Sequence, residues 1–208
     1  MPLAAFDLSS ADDDVQRQFS RLSELLGEDA VPKSFQAYGR QPAFLKDLLM
    51  NLKKFVVGEG QLEDQLRAKI GLATALHAKN ADWTNLMAAR VRATGGDDAT
   101  VTDVLAIAST NYMYNTFFKF RTLAGGNRFE AHPVGLRAHT FAGTSLPDRE
   151  VELINIAISD LNACQPCVSG HVEKAKQLEL KDEQILEAIQ VAAVVYAGAM
   201  YLNSASIL

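Results

Sequence analysis

Apolar residues along this chain recur mostly at intervals of three and four. Phe44, Leu45, Leu48, Leu49, Leu52, Phe55 and Val56 form one such series. Leu66, Ile70, Ala73, Ala75 and Leu76 form a second, and Val101, Leu105, Ile107, Ala108 and Tyr112 a third. This spacing places the apolar side chains on one face of a helix, which then packs inward. Strand signals are nearly missing: there is no sustained alternation of period two, and no Asn-Gly or Asp-Gly turn lies between β-branched runs. The pattern predicts an all-α fold.

The first thirty or so residues are more polar and less regular. Val15, Phe19, Leu22, Leu25 and Leu26 predict one surface helix, stopped before Val31-Pro32, so residues 1–34 read as a partly helical N-terminal extension and 35–208 as the helical domain. Asp12, Asp13 and Asp14 are either a solvated acidic stretch or an N-cap cluster. Gly95-Gly96-Asp97-Asp98, Gly125-Gly126-Asn127 and Gly143-Thr144-Ser145-Leu146-Pro147-Asp148 read as turns, the last offering Ser145 as a helix N-cap. Sliding the chain against itself by 84 residues sets Ile70 on Ile154, Ala73 on Ala157, Asp98 on Asp182, Ala108 on Ala192 and Tyr112 on Tyr196. This suggests two related helical halves, roughly 66–119 and 150–203. In that register Asn80, Trp83 and Met87 stand where the second half has Cys164, Cys167 and His171.

Composition narrows the function classes. The chain has 208 residues, 48% of them hydrophobic, enough for an ordinary core. Its net charge of −5 and the lack of a Lys/Arg cluster argue against nucleic acid as a partner. The N-terminus MPLAAFDLSSADDDVQRQF has no basic segment followed by an apolar one, so no leader is expected. The longest apolar run, Val191 to Leu202, falls short of the ~18 residues that suggest a membrane span and predicts a core helix. A cytoplasmic location follows as the expectation, and there a close cysteine pair is more often catalytic or metal-binding than structural.

Both cysteines and one of the four histidines lie in ten residues, Asn162 to His171, NACQPCVSGH. Pro166 is tolerated in a first helical turn but not in a helix interior, so a helix is expected to start around Asn162 to Cys164. Cys164, Cys167 and His171 then share one face, and the free N–H groups at the helix start favour a thiolate over a thiol. Upstream, Glu152, Asn155 and Ser159 draw a polar stripe along an otherwise apolar helix.

If the chain reverses near Asn162, the levels of Glu152 and His171 differ by only ~2 to 5 Å, within reach of a carboxylate–imidazole contact; in one straight helix they would be ~28 Å apart. A histidine held by a carboxylate can take a thiol proton near neutral pH. A thiolate oxidised by peroxide to a sulfenic acid can condense with a thiol three residues away. Zinc is a competing reading, since Cys164, Cys167 and His171 supply three ligands, but a closed site wants a fourth and no second pair with ligand spacing occurs. Two small buried hydrophobes would be the plain reading of the cysteines, and a capping carboxylate that of Glu152. His77 reads as a core or interface histidine, while His132 and His139 lie near loops; none of the three is assigned chemistry. Trp83, Tyr112, Phe117 and Phe118 read as core or subunit interface.

Glu, eleven residues, Cys-x-x-Cys, three residues and His, all in helical sequence, resembles the AhpD family of alkylhydroperoxidases within the wider carboxymuconolactone-decarboxylase-like group. The likeness runs from about Phe35 to Leu202 and includes LKDLLMNLKKF, MYNTFFKF and EAIQVAAVVYAGA. The resemblance implies an AhpD-like helical fold with the Cys-x-x-Cys at a helix N-terminus, in a subunit that forms homo-oligomers, commonly trimers. It implies a thiol-dependent peroxidase that needs no haem or flavin and takes electrons from dihydrolipoamide on a lipoylated protein, with the peroxiredoxin AhpC as a further partner. Carried over to this chain, Cys167 would form the sulfenic acid, Cys164 would be its disulfide partner and a proton donor, and Glu152 and His171 would be the proton relay. Some members have a histidine immediately before the second cysteine, where this chain has Pro166. A redox relay or sensor that passes electrons to a partner protein is the non-enzymatic alternative. Lactone decarboxylation, as in the wider group, is disfavoured because it does not need paired thiols.

Overall fold

The computed structural model describes residues 6–27 and 31–207, and among these there are helices and no strand. In chain order the helices are α1 (Asp13–Leu26), α2 (Pro42–Asn51), α3 (Asp64–Ala78), α4 (Ala81–Ala93), α5 (Asp98–Leu123), α6 (Thr140–Gly143), α7 (Asp148–Leu161), α8 (Gln165–Gln177) and α9 (Asp182–Ile207). A 3-10 segment, Lys33–Arg40, precedes α2, and a π-helical turn, Leu52–Val56, follows it.

The helix boundaries repeat along the chain. Helices α3, α4 and α5 begin at residues 64, 81 and 98, and α7, α8 and α9 begin 84 residues later at 148, 165 and 182. The joints repeat as well. Between α3 and α4, Lys79 turns left-handed with φ 55° and the Asn80 N–H donates to the Ala75 carbonyl. Between α7 and α8, Ala163 has φ 52° and the Cys164 N–H donates to the Ser159 carbonyl. Each is a left-handed C-terminal turn that satisfies the helix's last carbonyls while reversing the chain.

Helices α3, α7 and α9 form the centre. Ile70, Leu72 and Ala73 of α3 meet the core with Ile154, Ile156 and Ala157 of α7 and Val191 and Val195 of α9. Helix α7 is buried on every side from Val151 to Ser159, so any polar residue there needs a partner inside the protein. Helix α9 is 26 residues long and, by length and composition, long and apolar enough to cross a membrane. The expectation from Val191–Leu202 counted uninterrupted apolar residues, whereas the helix continues through polar positions on both sides. Its Ile185, Ala188, Val191, Ala192, Val195, Ala199 and Leu202 lie in the core.

Three local expectations are corrected or resolved. The first helix runs through Leu26 as expected, but what stops it is Gly27, whose φ of 93° an L side chain rarely adopts, and not Val31-Pro32. Asp12 is its N-cap and accepts from the Val15 N–H at 2.9 Å, while Val15, Phe19 and Leu22 are buried and α1 packs on α2. Ser145 is not an N-cap: its N–H and hydroxyl both donate to Asp103 of α5, and Pro147 occupies the cap of α7.

Candidate active site

The α7–α8 hairpin carries the cysteines. Cys164 is the N-cap of α8 and makes no side-chain capping bond, Pro166 is the second helical residue, and Cys167 is the third. A proline there costs no hydrogen bond, because the first N–H groups of a helix have no acceptor within it. The two sulfurs are joined in a disulfide across a Cα–Cα distance of 5.3 Å, and both residues are buried. This is the oxidised form of the pair. Among the described residues no group of three or more His, Cys, Asp and Glu side chains is placed to hold a metal ion.

One turn after Cys167, His171 points across the hairpin. Its Nδ1 lies 2.7 Å from Glu152 Oε2 on α7. The carboxylate's other oxygen, Oε1, meets Lys174 Nζ at 2.7 Å. The Glu152 side chain is 2% exposed and Lys174 52% exposed, so a surface cation reaches in to a buried anion. Burial by itself would push the Glu152 carboxyl up, but the hydrogen bonds and charges of His171 and Lys174 outweigh it and hold it below the usual carboxylate range. An ionised carboxylate only accepts, so His171 donates through Nδ1 and leaves Nε2 as the basic nitrogen. The Phe141 ring of α6 stands edge-on to this imidazole, centroids 6.3 Å apart, and Tyr114 of α5 packs on Phe141 while its hydroxyl donates to the Leu136 carbonyl.

The polar stripe on α7 divides between two neighbours. Glu152 turns to α8, whereas Asn155 and Ser159 turn to α5. Asn111 Nδ2 donates to Asn155 Oδ1 at 2.7 Å, and Ser159 Oγ donates to Asn111 Oδ1. Asn115 Nδ2 donates to Ser159 Oγ, Asn162 Nδ2 donates to Asn115 Oδ1, and Lys119 Nζ donates to the Asn162 carbonyl. This ladder, buried at Asn111, Asn115, Asn155 and Ser159 and part-buried at its end, runs along α5 to the turn that presents Cys164 and ties that turn to α5.

The structure thus brings together Glu152 with His171 and Cys164 with Cys167, on two helices joined by a three-residue turn. His77 lies elsewhere, half-buried between Tyr112 and Tyr196 with ring centroids 5.7 Å away, and burial and the Lys79 charge push its pKa down. His132 lies in a turn, and His139 stands at the N-cap position of α6 without a side-chain capping bond. Trp83 is fully buried, donating from Nε1 to the Tyr38 hydroxyl. Sequence reasoning missed Lys174, although it sits three residues after His171 on the same helical face. It also missed Asn111, Asn115 and Lys119, whose spacing of four along α5 marks a second polar stripe.

Comparison with known proteins finds similarity to two named kinds. The sequence profile of the carboxymuconolactone decarboxylase family matches residues 128–208. Alkyl hydroperoxide reductase AhpD of Anaeromyxobacter sp. (strain K) is 30% identical over 79% of this chain and 87% of its own length. The AhpD of Brucella canis is 27% identical over 79% of this chain and 93% of its own. Among solved structures, a putative gamma-carboxymuconolactone decarboxylase subunit from Burkholderia xenovorans LB400 superimposes with a TM-score of 0.64 at 18% identity, covering 92% of this chain and 97% of that one. An alkylhydroperoxidase AhpD core protein from Ralstonia eutropha JMP134 gives a TM-score of 0.56 at 13% identity, covering 97% and 88%. At these identities the two structures speak for the fold alone.

Proposed function

We propose, from the premise that the chain belongs to the carboxymuconolactone decarboxylase family and its AhpD-like members, that it is a thiol-dependent peroxidase acting on organic hydroperoxides. The observation that carries this reading is the 2.7 Å contact between Glu152 and His171 on the hairpin that also holds the cysteine pair. An imidazole oriented by an anion, one helical turn from a thiol at a helix start, is what thiolate formation near neutral pH requires.

In the proposed cycle His171 Nε2 takes the Cys167 proton, and the thiolate attacks one peroxide oxygen. The O–O bond breaks, the alkoxide leaves as alcohol with a proton from Cys164 or the relay, and Cys167 becomes a sulfenic acid. The Cys164 sulfur then attacks Cys167, the S–O bond breaks, water leaves, and the disulfide forms. A dithiol closes the cycle by exchange, giving up two electrons and two protons and becoming a disulfide itself. The balance is hydroperoxide plus dithiol to alcohol, water and disulfide, with no haem, flavin or metal invoked.

The reductant in this reading is a lipoyl group as dihydrolipoamide, free or on a lipoylated protein, and a peroxiredoxin of the AhpC type is a further partner. Homo-oligomers are part of the proposal. The exposed Leu105, Met113, Phe120 and Leu123 of α5 supply an apolar surface for a second copy. A cytoplasmic location, where thiols are kept reduced, is proposed with it.

The test is steady-state consumption of dihydrolipoamide with a panel of hydroperoxides, on wild type beside Cys167→Ser and Cys164→Ser. Turnover that both substitutions abolish supports the peroxidase. Reversible oxidation of the pair with no catalytic peroxide turnover would favour an electron-relay module instead.

A further inference from the structure

Glu152 is fully engaged: each carboxylate oxygen has one donor at 2.7 Å, His171 Nδ1 on Oε2 and Lys174 Nζ on Oε1. Both donors come from α8, three residues apart. We propose that Lys174 is a positioning residue of the relay, holding Glu152 by Oε1 so that Oε2 receives the His171 Nδ1–H and the imidazole presents Nε2 as its base. The proposal rests on the peroxidase reading above for its role in turnover, but its structural content does not.

A buried carboxylate changes its protonation when one oxygen loses its donor. Left with His171 alone, Oε1 would be a desolvated anionic atom without a partner, a costly state. The carboxyl group would relieve it by taking up a proton. A protonated carboxyl donates, and against His171 Nδ1 it would drive the ring to the tautomer that carries its proton on Nε2. That tautomer cannot accept a proton from a thiol. Lys174 therefore acts on Cys167 only through two intermediaries, the carboxylate and the imidazole.

Among the described residues no other charge does this work for Glu152. Helix α3 offers Lys69, which is taken up by Glu150 at 2.6 Å, and Arg67, which pairs with Glu187 of α9. Helix α5 offers Lys119, whose ammonium donates to the Asn162 carbonyl. Helix α6 has no ionisable residue. The groups acting on the Glu152 carboxyl are His171 and Lys174, both of α8, and together they overcome the upward push of burial.

The experiment compares wild type, Lys174→Met and Lys174→Arg by two readouts. The first is the pH profile of the single-turnover reaction of the reduced protein with cumene hydroperoxide. In Lys174→Met the acid limb moves to higher pH by roughly half to one unit, the effect of a nearby charge discounted for the lysine's exposure. That is roughly a three- to tenfold loss on the acid limb, small above pH 8. Lys174→Arg, which keeps charge and donor, stays close to wild type. The second readout needs no turnover: ring nitrogen-15 shifts of His171, assigned with His171→Gln, report the tautomer. Wild type carries the proton on Nδ1, and Lys174→Met shifts population to the Nε2–H form. A wild type inactive with peroxide overturns the peroxidase reading, while the nitrogen shifts still decide the role of Lys174. An unmoved tautomer in Lys174→Met, or a rate lowered evenly at every pH, overturns the role proposed here.

Discussion

The hairpins α3–α4 and α7–α8 are two solutions to one geometry. They share helix boundaries at a spacing of 84 residues and the same left-handed joint, at Lys79 and at Ala163. What fills them differs at every position that matters. Where the second has Glu152, Asn155, Cys167 and His171, the first has Ala68, Gly71, Trp83 and Met87. A Cβ at Gly71 would come within 2.7 Å of the Met87 sulfur, and one at Gly198 would run into the Trp83 indole. At the positions equivalent to the site, the first hairpin is a close-packed apolar plug. Position 114, the equivalent of Gly198, carries the tyrosine that packs on Phe141 beside His171. The backbone is indifferent to which is installed; the side chains decide whether a hairpin holds the protein together or holds reactive groups.

The comparison breaks first, and by the largest amount, at Trp83. Replacing it with alanine removes a fully buried indole and its hydrogen bond to Tyr38, at a cost of about 3–5 kcal/mol. Urea unfolding measures this, and a loss below about 1 kcal/mol would mean that the plug is not what stabilises the first half.

Glu152→Gln is the matching test in the second hairpin. In the proposed peroxidase the carboxylate acts by orienting an imidazole, so peroxide turnover is expected to fall toward the lower end of acid–base effects, about a hundredfold. Stability provides a second signal. The folded-state pKa of Glu152 is lowered, so its ionised form stabilises the protein fully above the unfolded carboxylate value of about 4.3, and that contribution is lost as pH falls through the folded value. The urea midpoint of wild type therefore exceeds that of Glu152→Gln most near neutrality, and the gap narrows below about pH 4.3. A gap that stays constant down to pH 3 would show that Glu152 is not held as an anion.

How much of this was legible in the chain differs between fold and site. Helical spacing identified the elements because most helices bury one face, and the 84-residue register emerged from a handful of identities such as Ile70 with Ile154. The Glu152–His171 pair was legible because Pro166 forces a helix to start, which makes a hairpin of what would otherwise be a single rod. Lys174 was hidden for a physical reason: lysines three residues apart from other polar groups are ordinary on exposed helix faces, and only the burial of Glu152 turns one into a partner. The α5 ladder was hidden because asparagines in a helix carry no period-specific signal until the facing helix is known. The last residues of α1, up to Leu26, were legible but its stop was not, because Gly27 and Val31-Pro32 both stop helices and the nearer one acts first.

A smaller effect sharpens the contrast at the caps. Asn80 caps α4, accepting from the Trp83 N–H at 3.0 Å, while Cys164 at the same place caps nothing. Under reducing conditions Cys164→Ser supplies a capping oxygen of nearly the same size and is expected to raise stability by about 0.5–1 kcal/mol, while removing the disulfide on which the proposed cycle depends. Thermal unfolding in the presence of a strong reductant reads this directly. A serine variant no more stable than the reduced wild type would mean that the thiol position costs the helix nothing.

The smallest effect addresses the joint itself. Ala163 holds φ at 52° and Lys79 at 55°, a conformation in which the Cβ crowds the following carbonyl and which costs an ordinary residue about 1–2 kcal/mol. Glycine removes that cost but gives the unfolded chain more freedom, returning about 0.4–1 kcal/mol of the gain. The net expectation for Ala163→Gly and for Lys79→Gly is therefore the same modest stabilisation, a few tenths to about 1 kcal/mol in urea unfolding. Equal shifts would mean that the two turns are energetically the same device. A destabilised Ala163→Gly beside a stabilised Lys79→Gly would locate an added constraint at the turn that carries Cys164, where the alanine methyl rather than the backbone alone holds the cysteine in place.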